Sequence, residues 1–117
     1  MPHCVIEYSE DVADQVDIND LLAAVHAGAM DSDLFPEYDI KTRAQAFHHH
    51  RTGQTRDSFV HVTVHLLDGR RDELKSMLSE KVLGRIEPIL PRVVSVGVEI
   101  CDMHRHSYRK RVLTFTQ

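Results

Sequence analysis

One pattern occurs twice along this chain of 117 residues: an apolar strand, an amphipathic helix and a second strand. The clearest strand is 59–67, where apolar residues at every second position alternate with His61, Thr63 and His65, as expected for a strand with one buried face. The other predicted strands are 2–8, 40–47 and 93–100. The two repeats span about 1–50 and 57–103, followed by a C-terminal tail over 104–117, so we predict a single domain, 1–117, with a duplicated β-α-β fold.

Each repeat is predicted to contain one helix. The first begins after Asp17, a favourable N-cap residue, and the second after Asp72 in the same role. Pro88 and Pro91 are expected to kink or end the second helix, because proline cannot donate a backbone hydrogen bond. Apolar residues at helical spacing are predicted to face the core: Ile18, Leu21, Leu22, Val25 and Ala29 in the first helix, and Leu74, Met77, Leu78, Val82, Ile86 and Leu90 in the second.

The order of the elements also predicts how the sheet is assembled. A right-handed crossover makes the two strands of each repeat parallel, and joining the repeats gives a four-stranded sheet with both helices on one face. The opposite face is then bare, and we expect it to carry apolar residues. In so small a protein, such a face indicates burial against other subunits, so we expect a homo-oligomer.

Charge and hydropathy narrow the class of protein. The net charge of −4 argues against nucleic-acid binding, and no apolar run is long enough to span a membrane. We expect a cytoplasmic protein in which Cys4 and Cys101 are buried, reduced thiols. Residues 1–40 contain 10 acidic side chains and no lysine or arginine, so any anionic ligand must find its charge partners later in the chain. The candidates are Lys41, Arg43, Arg51, Arg56, Arg70, Arg71 and the tail residues Arg105, Arg109, Lys110 and Arg111.

Several short motifs, taken in order, resemble one protein family. They are Met1-Pro2-His3-Cys4-Val5-Ile6-Glu7-Tyr8-Ser9, Ala13-Asp14-Gln15, Phe35-Pro36, Ile40-Lys41-Thr42-Arg43, Phe59-Val60-His61-Val62-Thr63, Gly69-Arg70 and Val98-Glu99-Ile100. Together they resemble 5-carboxymethyl-2-hydroxymuconate Δ-isomerase, of the tautomerase superfamily, across nearly the whole chain. The resemblance implies a homotrimer that isomerises a dienol from aromatic-acid catabolism to its conjugated keto form.

The resemblance also implies roles for four residues. Removal of Met1 would leave Pro2 with a secondary amine, which takes the proton of the substrate hydroxyl and returns one to carbon. An α-amino group has a reference pKa of about 7.7–8.0, and burial beside cations disfavours its charged form. Arg70, Arg43 and Lys41 would bind the carboxylates of a small di- or tricarboxylate substrate, and no cofactor or metal is required. Lys41 stands where the family pattern has arginine, which leaves the exact substrate open.

Three alternatives remain open at the level of the sequence. The first is a superfamily relative that uses the same proline on another unsaturated acid, by hydration or dehalogenation. The second is a binding or assembly protein, since a retained Met1 would turn the nitrogen of Pro2 into an amide without useful basicity. The third is a metal-binding module, suggested by the histidines of 48–50 and by His61 and His65. Adjacent histidines on a strand point to opposite faces, which disfavours chelation by the triplet.

Overall fold

The fold, described for residues 1–114 of a computed structural model, contains four strands and two helices. The strands are β1 His3–Ser9, β2 Lys41–Phe47, β3 Phe59–Leu67 and β4 Ser95–Met103, and the helices are α1 Ile18–Asp31 and α2 Asp72–Ile86. The strands form one sheet in the order β2-β1-β3-β4, in which each repeat contributes a parallel pair and β1 is antiparallel to β3. The predicted duplicated β-α-β fold with a four-stranded sheet is therefore confirmed. Residues 115–117 of the predicted tail lie outside the described residues.

Local chemistry explains where the helices and strands begin and end, and two of the predicted boundaries need correction. Asp17 caps α1 as predicted, because its side chain accepts the backbone N–H of Asn19 at 2.9 Å. In α2 the N-cap position is held by Arg71, without a side-chain cap, and Asp72 is the first helical residue, where its charge suits the helix dipole. The last strand begins later than predicted and runs on to Met103, because residues 90–93 form a turn and β4 pairs with β3 along its full length.

The core lies between the two helices and the face of the sheet that they cover. Fully buried side chains come from β1, β3, α1 and α2: Cys4, Ile6, Leu21, Val25, Ala29, Val60, Val62, Val64, Leu66, Leu78, Val82 and Ile86. Met77, predicted to face inward, is only half-buried and lines a groove of about 440 Å³ on the outer side of the helices. The helices cross closely at Gly28, where an added Cβ would lie 2.6 Å from the Cα of Val82.

The uncovered sheet face carries both polar and apolar side chains. Strand register places three polar rows of side chains across its middle: Lys41, His3, His65 and Cys101; Arg43, Val5, Thr63 and Glu99; and Gln45, Glu7, His61 and Gly97. The face is apolar only at its two ends, where the expected apolar side chains lie: Phe47 and Phe59 at one end, and Leu67 and Met103 at the other. Its polar middle does not by itself indicate association. Cys101 lies on this face and is half-buried, so only Cys4 is the buried thiol that the sequence predicts.

Candidate active site

The N-terminus of the chain is built into the fold. Pro2 lies directly before the central strand β1, and its carbonyl accepts the backbone N–H of Lys41, the first residue of β2, at 3.0 Å. Pro2 is less than 2% exposed and Met1 is 8% exposed. The parallel pairing of β1 and β2 thus holds the first two residues in a fixed position beside the segment that leads into β2.

A small cavity of about 220 Å³ opens beside Met1. Three stretches of chain form it: the connection after α1, the turn after β3, and the C-terminal tail. The lining residues are Met1, Leu34, Phe35, Pro36, Asp39, Leu67, Arg70, Arg105 and Lys110. A cavity with apolar walls and three cations suits a small organic anion.

Asp39 is the carboxylate nearest to the N-terminus. One of its oxygens, Oδ2, lies 3.6 Å from the amino nitrogen of Met1, and Oδ1 lies 3.8 Å from Nζ of Lys110. Burial lowers the pKa of the Met1 amino group; Asp39 opposes this effect, and the positive charges of Lys41 and Lys110 add to it. The desolvated amine therefore loses its proton more readily than an ordinary N-terminus, even with a carboxylate beside it.

Arg70 is held in the wall of this cavity. The chain turns at Gly69, whose φ of +115° belongs to the region that favours glycine, and Arg70 follows β3 directly after that turn. Nη2 of Arg70 donates to the carbonyl of Leu34 at 3.2 Å, and the guanidinium lies 5.1 Å from the centre of the Phe35 ring. One hydrogen bond and the ring contact position the group, while its other N–H donors remain able to bind a carboxylate.

Lys41 and Arg43 occupy different surroundings. Nζ of Lys41 donates to the carbonyl of Asp39 at 3.0 Å and lines a second cavity of about 460 Å³ with Tyr38, Asp39, Lys110 and Val112. Arg43 lies on the uncovered sheet face, where its Nη1 donates to Nδ1 of His3 at 3.2 Å. The fold therefore brings Pro2, Lys41 and Arg70 around Asp39, whereas Arg43 lines neither cavity and reaches this region only through His3.

Sequence reasoning missed the importance of Asp39 and left the roles of Arg105 and Lys110 undefined. Both cations belong to the tail, far from Asp39 in sequence, so no spacing rule links them to it. Tyr108 was also missed, although its hydroxyl lies 3.2 Å from Nε2 of His3 and fixes the tail near the start of β1. The only available signal was the density of cations after residue 104.

Several histidines are engaged in pairwise contacts, whereas Nδ1 of His50 is buried without a hydrogen-bond partner. Nε2 of His61 lies 2.7 Å from Oε1 of Glu99, and Nδ1 of His48 lies 2.6 Å from Oε1 of Glu10. Among residues 1–114, no three histidine, cysteine or acidic side chains are grouped so that they could hold a metal ion. Nor is any helix in this part of the chain both long and apolar enough to cross a membrane.

A family model described as 5-carboxymethyl-2-hydroxymuconate isomerase matches residues 2–104. The chain belongs to this family. The tautomerase fold is shared with solved structures at low sequence identity, and no curated protein sequence matches significantly. A 5-carboxymethyl-2-hydroxymuconate isomerase from Deinococcus radiodurans R1 is 21% identical, with a TM-score of 0.83 over 94% of this chain and 88% of that one.

Two further structures show the same fold. A 5-carboxymethyl-2-hydroxymuconate delta-isomerase is 16% identical, with a TM-score of 0.81 over 96% of this chain and 88% of that one. A fused wild-type 4-OT, which is a symmetric trimer, is 18% identical, with a TM-score of 0.74 over 88% of this chain and 86% of that one. Membership of the isomerase family and this fold identify the chain as an isomerase of the tautomerase superfamily.

Proposed function

We propose that this isomerase converts a 2-hydroxymuconate-type polycarboxylate, such as 5-carboxymethyl-2-hydroxymuconate, to its conjugated keto form without a cofactor. The observation that carries the proposal is the buried N-terminus beside a cavity lined by Arg70, Arg105 and Lys110. The family name and the resemblance of the sequence supply the substrate class, which belongs to aromatic-acid catabolism.

The proposed base is Pro2 after Met1 has been removed. Its secondary amine would lie next to the space that Met1 fills, in the surroundings that lower the pKa of the Met1 amine. A neutral amine accepts the proton of the 2-hydroxyl group, the C=O bond forms, and the double bonds shift. The resulting ammonium then delivers a proton to carbon, so that one nitrogen serves as base and then as acid and no proton is lost overall.

Cations are needed because the substrate is a polyanion and negative charge grows on the dienolate oxygen. Arg70 is the best placed of those that the sequence indicates, since its fixed guanidinium can bind a carboxylate beside the proline. Lys41 would contribute a point charge from the adjoining cavity. Arg43 would act at longer range, through His3, unless another subunit brings substrate to the uncovered sheet face.

We also propose that the protein forms a homotrimer. The supporting observation is the shared fold with fused 4-OT trimers. The exposed polar rows of the sheet supply hydrogen-bonding and ionic groups for such contacts, which would make the interface wet rather than purely apolar. Sedimentation equilibrium of the purified protein at several concentrations should give three times the chain mass, and a monomeric mass throughout would contradict the trimer.

The decisive experiment follows the ketonisation of 5-carboxymethyl-2-hydroxymuconate by ultraviolet absorbance. Three samples are compared: protein shown by intact mass to lack Met1, protein that retains Met1, and Met1-free Pro2→Ala. We expect fast turnover only in the first, because retained Met1 makes the Pro2 nitrogen an amide and alanine supplies a less constrained primary amine. Equal, near-background rates in all three samples would refute this activity. The substitution of Lys41 for the family's arginine would then direct the search to other unsaturated acids.

A further inference from the structure

The C-terminal tail crosses the candidate active site. The family match ends at residue 104, just before this tail. After a short 3₁₀ turn over Arg105–Ser107, Tyr108 contacts His3 beside the start of β1, and Lys110 reaches Asp39 beside Met1. Val112 continues along the cavity that contains Lys41. The tail therefore forms a wall shared by both cavities.

Hydrogen bonding fixes the position of the tail. The guanidinium of Arg43 can only donate, so Nδ1 of His3 must accept its N–H at 3.2 Å. In neutral His3 the remaining proton is therefore on Nε2, which donates to the hydroxyl of Tyr108 at 3.2 Å. The rings also meet edge to face, with centroids 6.4 Å apart. Arg43 and His3 thus orient Tyr108, two residues before Lys110.

Of the two tail cations that line the cavities, Lys110 is the one with capacity for another anion. Arg105 already donates to the carbonyl of Asp68 at 2.8 Å and lies 3.6 Å from its carboxylate. The nearest carboxylate to Lys110 is that of Asp39, at 3.8 Å, a distance too long for a hydrogen bond, and Asp39 also faces the amine of Met1. Lys110 is 42% exposed, so an entering carboxylate can reach it from solvent.

The two cavities place their cations differently. Arg70 and Met1 line the cavity of about 220 Å³, which we call the inner cavity, whereas Lys110 lines both this cavity and the second one. This inference rests on the proposed function: we propose that Lys110 binds the carboxylate of the substrate's carboxymethyl group, while Arg70 binds the carboxylate next to the reacting hydroxyl. Tyr108 is a positioning residue that holds Lys110 there through its bond to His3. Lys110 would thereby select acids with an additional carboxylate.

The test compares Lys110→Gln with Arg109→Gln in Met1-free protein. Arg109 is a matched control, because it is an exposed neighbouring cation that donates to the carbonyl of His106 and lines neither cavity. The two substrates are 5-carboxymethyl-2-hydroxymuconate and 2-hydroxymuconate, which lacks the carboxymethyl group. We expect Lys110→Gln to lower kcat/KM for the first by about tenfold or more, as for a lost charged hydrogen bond, mainly through KM. The loss should be much smaller for the second substrate.

Two further variants distinguish a role in positioning Lys110 from a role in the stability of the fold. Lys110→Arg should restore most of the selectivity, because it keeps the charge. Tyr108→Phe should raise KM for the carboxymethyl substrate without changing kcat or the thermal midpoint. Equal effects of Lys110→Gln and Arg109→Gln, or an equal loss on both substrates, would overturn the assignment of Lys110.

Failure of the proposed activity is recognised separately. If Met1-free wild-type protein and Pro2→Ala show the same background rate, the isomerase reaction is wrong for these substrates. Calorimetric titration with tricarballylate, a saturated tricarboxylate, then tests Lys110 alone. Weaker binding in Lys110→Gln but not in Arg109→Gln would support the anion site, and equal binding in the two variants would overturn it.

Discussion

Replacing Gly28 by alanine should destabilise the fold by disrupting the crossing of α1 and α2. The added Cβ would lie 2.6 Å from Cα of Val82 and 3.0 Å from the carbonyl oxygen of Lys81, and both are backbone atoms of a regular helix. Normal carbon contacts begin near 3.5 Å, so the helices must separate locally by roughly 1 Å. Such overpacking lowers the free energy of unfolding by about 3 kcal/mol, at the upper end of the usual range. The better helix propensity of alanine raises it by about 1 kcal/mol. The net loss is about 2 kcal/mol.

Gly84→Ala is the matched control, because this glycine is also helical and a Cβ there meets nothing within 4 Å. Only the propensity gain of about 1 kcal/mol applies to it. At an unfolding entropy of about 2.1 cal/mol/K per residue, 1 kcal/mol shifts Tm by roughly 4 °C in a chain of 117 residues. Thermal unfolding followed by circular dichroism, at equal protein concentrations, should show Gly28→Ala roughly 8 °C below and Gly84→Ala roughly 4 °C above wild type. A Gly28→Ala protein as stable as wild type would refute the close helix crossing.

Three other predictions concern titratable groups. Burial lowers the pKa of His3 from 6.5, and the positive charges of Arg43 and Lys41 lower it further. His3 therefore binds its proton more readily in the unfolded state, so acidification below about 6.5 favours unfolding. Wild type should therefore lose more Tm between pH 7.5 and 5.5 than His3→Gln does, and parallel losses would contradict this. Burial raises the pKa of Cys4 to about 11, so in Cys101→Ser protein, which lacks the half-buried second thiol, a disulfide reagent should react only on unfolding. Rapid labelling of this variant in its native state would disprove the burial of Cys4. If Pro2 is the base, Asp39→Asn removes the carboxylate that raises the pKa of the terminal amine, and the acidic limb of the kcat/KM profile should move to lower pH.

The repeating fold could be predicted because its signals are local. Alternation located β3, helical spacing located α1 and α2, and the order of elements determined the parallel pairs. The same alternation also predicts the mixed character of the uncovered face, since the outward residues of β3 are Phe59, His61, Thr63, His65 and Leu67.

The candidate site was only partly predictable, for a physical reason. Arg70 follows a strand and a glycine turn, so its position depends on neighbours in sequence. The contact between Lys110 and Asp39 depends instead on the path of the tail, which is set by the distant bond between Tyr108 and His3. A charged residue in a tail has no periodicity, and its sequence surroundings do not specify which end of the sheet it reaches.

Removal of Met1 exposes a base, and it also changes the charges and the free space around the N-terminus. With Met1 in place, Asp39 faces two cations, the Met1 ammonium and Lys110, and the methionine side chain lies in the wall of the inner cavity. Excision deletes that side chain and transfers the amine to Pro2, the residue whose carbonyl is already tied to β2. The new amine is secondary, and its position is restrained by the strand. At Met1, burial and the two lysines together lower the pKa of the amine more than Asp39 raises it. If the same balance holds at Pro2, removal of Met1 both opens space for substrate and provides a neutral base beside it.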